Sequence, residues 1–369
     1  MTTTSSCSRS DEGCRVLKYL LGVQLAIVVF VMIYFSCREN QTIMILEQPL
    51  PIQYMNKARD QAVTAERIHD TVTFLTGDGN YRGDLEADRG QGLFISLREE
   101  ISPDAPLLDL FREYLGEDEA DAIALEMSRS DSLNMLMGAG SDSRAFMHNC
   151  QRLTVISMAR SPLLPWDREL DLVILPGFSP GMTGGLNRIL MENPHVTVLC
   201  PPVTSGILAN HLDFLDSIPR LVPVFPGRTR LTNRLWSLVL PTGEGSPDSD
   251  YELFLLAETS RGMVLISGMG RPGVEEILGH SALDGFDFSL FVGGVDMAMV
   301  LEDPALLPSL ERVKKRFPDL IISPNHKLSP VARNAMEQVF GDRLMVPGTG
   351  DVLDIEQDML YRFRVHRED

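Results

Sequence analysis

From residue 172 onward the chain alternates between two hydrophobic periods. Short apolar runs bounded by turn residues, at 172–175, 196–199, 253–257, 263–266, 289–292 and 320–322, are separated by stretches with apolar residues at helical spacing, at 184–192, 274–280, 309–317 and 331–340. A strand that is apolar on both faces must be covered on both, so the alternation predicts an α/β architecture with well-buried sheets. Two more strands are expected at 71–75 and 92–97, either side of a Gly/Asp/Asn turn at 77–80. Residues 101–130 differ in character. Leu107, Leu108, Leu110, Phe111 and Leu115 recur at near-helical spacing and precede Glu117, Asp118, Glu119 and Asp121, which predicts a helical insertion with a solvated acidic face.

A different kind of segment stands near the start. Residues 19–37, YLLGVQLAIVVFVMIYFSC, carry no charge and at helical rise approach the thickness of a bilayer core. The run is longer than a usual signal-peptide core and ends in the bulky Ile33, Tyr34 and Phe35, so an uncleaved single transmembrane helix is expected rather than a cleaved signal. Arg9, Arg15 and Lys18 precede it and Arg38 alone follows closely, which places the N-terminus in the cytoplasm and the large domain on the extracytoplasmic side. The chain then divides into a short N-terminal segment (1–18), the membrane helix (19–37), a linker with a short helix (38–67), a compact domain (68–358) and a charged tail (359–369).

Composition narrows the function. The 369 residues are 44% hydrophobic, enough to fill a substantial core. With 51 Asp plus Glu against 33 Lys plus Arg, the formal net charge of -18 repels phosphate backbones, so nucleic acid is not an expected partner. The five cysteines form no C-x-x-C pair and no zinc-like spacing, and Cys150 and Cys200, set among apolar residues, read as buried thiols.

Several ordered segments resemble the metallo-β-lactamase superfamily. They are Gly92-Leu93, residues 136–140 with 146–149, 171–175, Thr183-Gly184-Gly185-Leu186, Glu258-Thr259 through Ser267-Gly268, Gly293-Gly294, 340–343 and Gly348-Thr349-Gly350. The sub-group that they resemble includes dihydropteroate-synthase-like and ribofuranosylaminobenzene-phosphate-synthase-like proteins. The resemblance implies an αββα sandwich of two mixed sheets with a metal site on the loops along one edge. It also implies a signature His-x-His-x-Asp-His loop followed by Thr-Gly-Gly, in which imidazoles and a carboxylate converge on zinc or a similar ion.

In this chain the matching stretch is PGFSPGMTGG, residues 176–185, and the four ligand positions fall on Gly177, Ser179, Gly181 and Met182. Three later ligand positions fall on Arg271, Asp296 and His326, and the strand-end Asp of the family falls on Gly138. Asp296 and His326 alone are too few to hold an ion and its hydroxide, so neither metal nor other cofactor is expected and no catalytic residue is assigned. The Gly-rich run 268–273 lies where anions bind, and Arg271 and Ser179 are the candidate anion or ligand contacts. Arg271 is further expected to pair with Asp296 in the vacated pocket. The resulting expectation is a membrane-anchored, catalytically inactive protein serving as a binding or scaffolding subunit, with protein partners in a membrane assembly. The alternative is a hydrolase or transferase with an altered metal site or metal-free chemistry.

Overall fold

The structure, a computed structural model, describes residues 44–47, 70–75, 85, 90–99, 101–128, 131–152, 170–211, 220–243, 251–295, 305–325, 328–356 and 359–365. The chain divides into two units, one of residues 1–45 with 365–369 and one of residues 46–364. Of the first, only Met44, Ile45 and Val365 are among the described residues. Strand β1 (Met44–Glu47) runs across the division, at a place read from the sequence as linker.

The larger unit is built on two mixed sheets. In the first the strand order is β15 (Met359–Val365), β14 (Val352–Asp354), β2 (Thr71–Phe74), β3 (Leu93–Leu97), β4 (Leu133–Met137), β5 (Leu172–Ile174), β6 (Thr197–Cys200) and β7 (Arg220–Pro223). Pairing is antiparallel as far as β4 and parallel from β4 to β7. The second sheet runs β13 (Ile321–Pro324), β12 (Phe288–Gly293), β11 (Gly262–Ser267), β10 (Tyr251–Thr259), β9 (Leu235–Pro241) and β8 (Gly227–Arg230). Here β11 to β13 are parallel and the rest antiparallel. Nine α-helices lie among the described residues: α1 (Pro106–Leu115), α2 (Glu117–Met127), α3 (Ser143–Arg152), α4 (Pro180–Thr183), α5 (Leu186–Glu192), α6 (Pro202–His211), α7 (Val274–Gly279), α8 (Leu306–Arg316) and α9 (Pro330–Phe340).

Strand β10 shows why a doubly apolar strand needs two layers of cover. Leu253, Leu255 and Ala257 enter a core between the sheets with Val264, Ile266, Val72, Ile95 and Leu353. Phe254 and Leu256 point the other way, into a second core with Ile277, Leu310, Val313, Met336 and Phe340 from α7, α8 and α9. The alternation has the period of two that a pleated strand imposes. Phe288 lies in the outer core although Leu290, two residues on, lies in the inner one. The register between β11 and β12 shifts between Met263 and Val264, and that irregularity exchanges the two faces of β12.

The helical pair α1–α2 is part of the core. Leu107, Leu108, Phe111, Ala120, Ile123 and Met127 join the inter-sheet cluster, while Glu117, Asp118 and Asp121 are exposed. Leu107 N–H donates to the carbonyl of Leu231 at 2.8 Å and Tyr114 stacks on Phe225, which ties the pair to the chain on either side of β8.

Three segments bear directly on the sequence expectations. Residues 359–365, read as a charged tail, form β15, paired antiparallel with β14. Tyr361, Phe363 and Val365 alternate with Arg362 and Arg364, the period of a strand rather than of a solvated tail. Helix α8 begins at Leu306, three residues earlier than expected, because Pro308 falls in its first turn, where its missing N–H has no bond to make. The proposed membrane helix at 19–37 lies outside the described residues, and among those no helix is long and apolar enough to cross a membrane.

Candidate functional site

The parallel strands of each sheet end at one edge, where α/β proteins place ligands. The loops after β4, β5, β11, β12 and β13 meet there. The 176–185 loop is woven by backbone bonds to the loops beside it: Gln91 N–H donates to the Gly181 carbonyl at 2.7 Å, Ala139 N–H to Met182 at 2.7 Å, and Gly184 and Gly185 N–H to Gly140 and Ala139 at 2.9 and 2.8 Å. Across to the second sheet, Leu253 N–H donates to the Pro176 carbonyl at 2.8 Å.

Five of the candidate positions are among the described residues. Gly177 is buried against the end of the Met269 side chain, whose Cε lies 2.8 Å from where a Cβ would stand. Ser179 precedes α4 and is half-buried; its carbonyl accepts from Met182 N–H at 2.9 Å and from the Thr183 hydroxyl at 2.9 Å. Gly181 lends its carbonyl to Gln91, and Met182 is buried with its Sδ beside Gly138. Arg271 is half-buried on the loop after β11. Asp296 and His326 lie outside the described residues, and with them the proposed Arg271–Asp296 pair.

The group that organises this edge is one that the sequence reading passed over. Glu252, the second residue of β10, is fully buried beneath the loop after β11. Its Oε1 accepts from the backbone N–H of Met269 and of Gly270, both at 2.7 Å, and its Oε2 from that of Arg271 at 2.9 Å. The Ser267 hydroxyl adds a fourth contact at 3.3 Å. Gly270 has φ 69, a left-handed conformation that turns consecutive N–H groups toward one point. The backbone N–H groups of the Gly-rich run therefore converge on a carboxyl group of the same chain. The backbone donors of residues 269–271 are thus engaged within the chain, which leaves only the Arg271 side chain of this loop as the expected anion contact.

Burial pushes the Glu252 carboxyl above its ordinary pKa, against the pull of the three backbone N–H groups and the Arg271 charge. Cys200 is buried too, and burial drives its thiol up to about 12, so at neutral pH it is an inert packing residue.

The described residues at these positions do not fit the metal group that the resemblance implies. Gly177 and Gly181 have no side chain, Met182 packs its sulfur against Gly138, and the Glu252 lone pairs are taken by N–H donors. Among the described residues no three His, Cys, Asp or Glu side chains come together to hold an ion. Among the described residues the donor set at this edge supports no step routed through a metal; Asp296 and His326 lie outside them.

No family model and no curated protein matches this sequence. Solved structures do. Tm1679, a metal-dependent hydrolase of the β-lactamase superfamily, is 14% identical over 78% of this chain and 99% of its own, with a TM-score of 0.52. YhfI from Bacillus subtilis, a metallo-β-lactamase fold protein, is 10% identical over 77% and 98%, with a TM-score of 0.45. Zn(2+)-bound PqqB from Methylobacterium extorquens is 12% identical over 77% and 100%, also at 0.45. With its two mixed sheets and this likeness to Tm1679, the chain has the fold of the metallo-β-lactamase superfamily.

Proposed function

We propose that this chain is a non-hydrolytic binding or scaffolding protein on a hydrolase-type fold, anchored in a membrane by residues 19–37 with its domain on the extracytoplasmic side. The observation that supports it is the state of the loop edge. At the edge where the resemblance implies a metal site, the described residues include a buried carboxylate held by backbone N–H groups, with glycines and a methionine at the matched positions Gly177, Gly181 and Met182. A carboxylate in that position organises the loops without offering a Lewis acid or an activated water. Function then falls to the outer surfaces, as expected of a docking module.

The second reading is a hydrolase or transferase with an altered site, favoured by the fold likeness to a metal-dependent hydrolase. Purifying the full-length chain in mild detergent separates the two. A protein partner that co-migrates at constant ratio is the expected result. Hydrolysis of ester, phosphoester or lactam probes that follows the chain through purification would overturn it. Protease digestion of oriented vesicles tests the topology, which fails if the domain is shielded in intact spheroplasts.

A further inference from the structure

We propose that a cleft between α7 and α8 binds the C-terminal carboxylate of a partner polypeptide whose last side chain is apolar and which carries a cationic residue just upstream. The cleft measures about 580 Å³, a volume in the range of small-ligand sites. It lies on the helical layer over the second sheet. Its floor is apolar: Leu278, Val313 and Phe317 are each less than a tenth exposed.

The rim carries groups with unused capacity. His280 accepts the Ala282 N–H at its Nδ1, 3.1 Å away, so the neutral ring holds its proton on Nε2 as a donor. The Ser281 hydroxyl is exposed beside it. Arg316 lies over the Phe317 ring at 5.2 Å, and its Nη1 comes within 3.7 Å of the Cβ position at Gly279, next to His280. Its carboxylate contact, Asp284, is at 3.4 Å with both side chains about half or more exposed, so a ligand can displace it at little cost. Arg312 is unlike Arg316, because its Nε and Nη2 both donate to the Glu275 carboxylate, Nη2 at 2.8 Å, which makes that bidentate pair a wall of the cleft. Glu276 is exposed on the same rim as an anionic group.

An arginine, an imidazole N–H and a hydroxyl around an apolar floor match a terminal carboxylate whose neighbouring side chain is apolar. Glu276 adds a place for a cation one or two residues upstream. That the ligand is a polypeptide rests on the docking reading above; the carboxylate chemistry does not.

The test is titration of the purified full-length protein with an acetylated lysyl-alanyl-leucine tripeptide as its free acid, the same peptide as its C-terminal amide, and acetyl-leucine alone. Expected are binding of the acid at least about tenfold tighter than the amide, the loss of one charge-assisted bond, and a similar loss in Arg316→Ala. Glu276→Gln should weaken the lysyl peptide several-fold and leave acetyl-leucine unchanged. Equal binding of acid and amide, an Arg316→Ala variant that binds as the parent does, or no saturation near 1 mM overturns the site. Acetyl-leucine binding as tightly as the tripeptide overturns its assignment to a polypeptide. Arg316 is on the surface, so its removal leaves the fold intact, and co-purification of partners tests the docking reading separately.

Discussion

The two edges of the sandwich hold their buried carboxylates by different means. At the loop edge, the backbone N–H groups of residues 269–271 surround Glu252. At the opposite edge, where β2 begins and β3, β10 and β14 end, side chains do the work. Arg234 bonds Asp70 and Glu356, each at 2.7 Å; Glu99 accepts from the Thr232 hydroxyl at 2.6 Å; Glu356 also takes the Ser260 hydroxyl at 2.7 Å. Arg234 and Glu356 are each about a third exposed, whereas Glu252 is wholly buried. A side-chain network of this kind ties two sheets together and leaves Arg234 and Glu356 partly solvated while Asp70 and Glu99 stay buried. Backbone donors cannot leave their acceptor without unmaking the loop. The loop after β11 is thus held by backbone bonds to Glu252, and the far edge by several side-chain contacts.

The sharpest way to break this contrast is to remove each centre in turn. Glu252→Ala should cost about 3–5 kcal/mol in denaturant unfolding, because three buried N–H groups lose their acceptor at once. Arg234→Ala should cost less, about 1–3 kcal/mol, since Asp70 keeps the Arg98 N–H at 2.6 Å and the site is partly wet. The reverse order would show that the far edge is the one that holds the fold. Gly294→Ala probes the packing around Glu252, since its Cβ would stand 2.3 Å from the Gly268 carbonyl oxygen and 2.4 Å from the Met269 carbonyl carbon. A loss of about 1–3 kcal/mol is expected from overpacking, and a neutral variant would mean that the loops can part.

Acid and base should act on the edges with opposite sign. Burial alone would raise Glu356, but the Ser260 bonds and the Arg234 charge hold it below its ordinary value. Its contribution is present above the free glutamate pKa of about 4.3 and is lost as pH falls through the lowered value. Glu252 is raised, so between about 4.3 and its raised value the folded state binds the extra proton and stability declines as pH rises. The margin of wild type over Glu356→Gln should shrink on acidification, and that over Glu252→Gln should shrink on raising pH through the acid range. Matching slopes would break the distinction. As a control, Arg333→Ala removes an exposed i,i+4 pair with Glu337 at 3.0 Å and should stay within about 0.5 kcal/mol of the parent.

How much of this was legible varies by element for physical reasons. Strands β10 to β13 declare themselves because both faces are buried and both are apolar. Strand β8, Gly-Arg-Thr-Arg, does not, since Arg228 and Arg230 lie exposed on its solvent-facing side and leave no hydrophobic period. Strand β9 carries Ser237 in mid-run, β4 carries Asn134, and α6 has Thr204 and Gly206 in its first turns, all of which blur the pattern. At the site, the residue-by-residue match gave positions for the expected ligands but did not single out Glu252. Glu252 was readable: it shares the parity of Phe254 and Leu256, so a charged residue at a buried strand position called for a partner. What the sequence did not show is that the partner would be main chain, because a nest of N–H groups has no side-chain signature.

In the function proposed above, a carboxylate of this chain rather than a metal holds the loop after β11. Metal content and thermal melting of the full-length protein in detergent, before and after chelation and with added Zn2+, test it on wild type and Glu252→Ala together. The expected result is no stoichiometric metal, a wild-type melting temperature indifferent to chelator and zinc, and a markedly lower one for Glu252→Ala that zinc does not restore. About one or two tightly held ions per chain, with a melting temperature that falls on chelation, would contradict it.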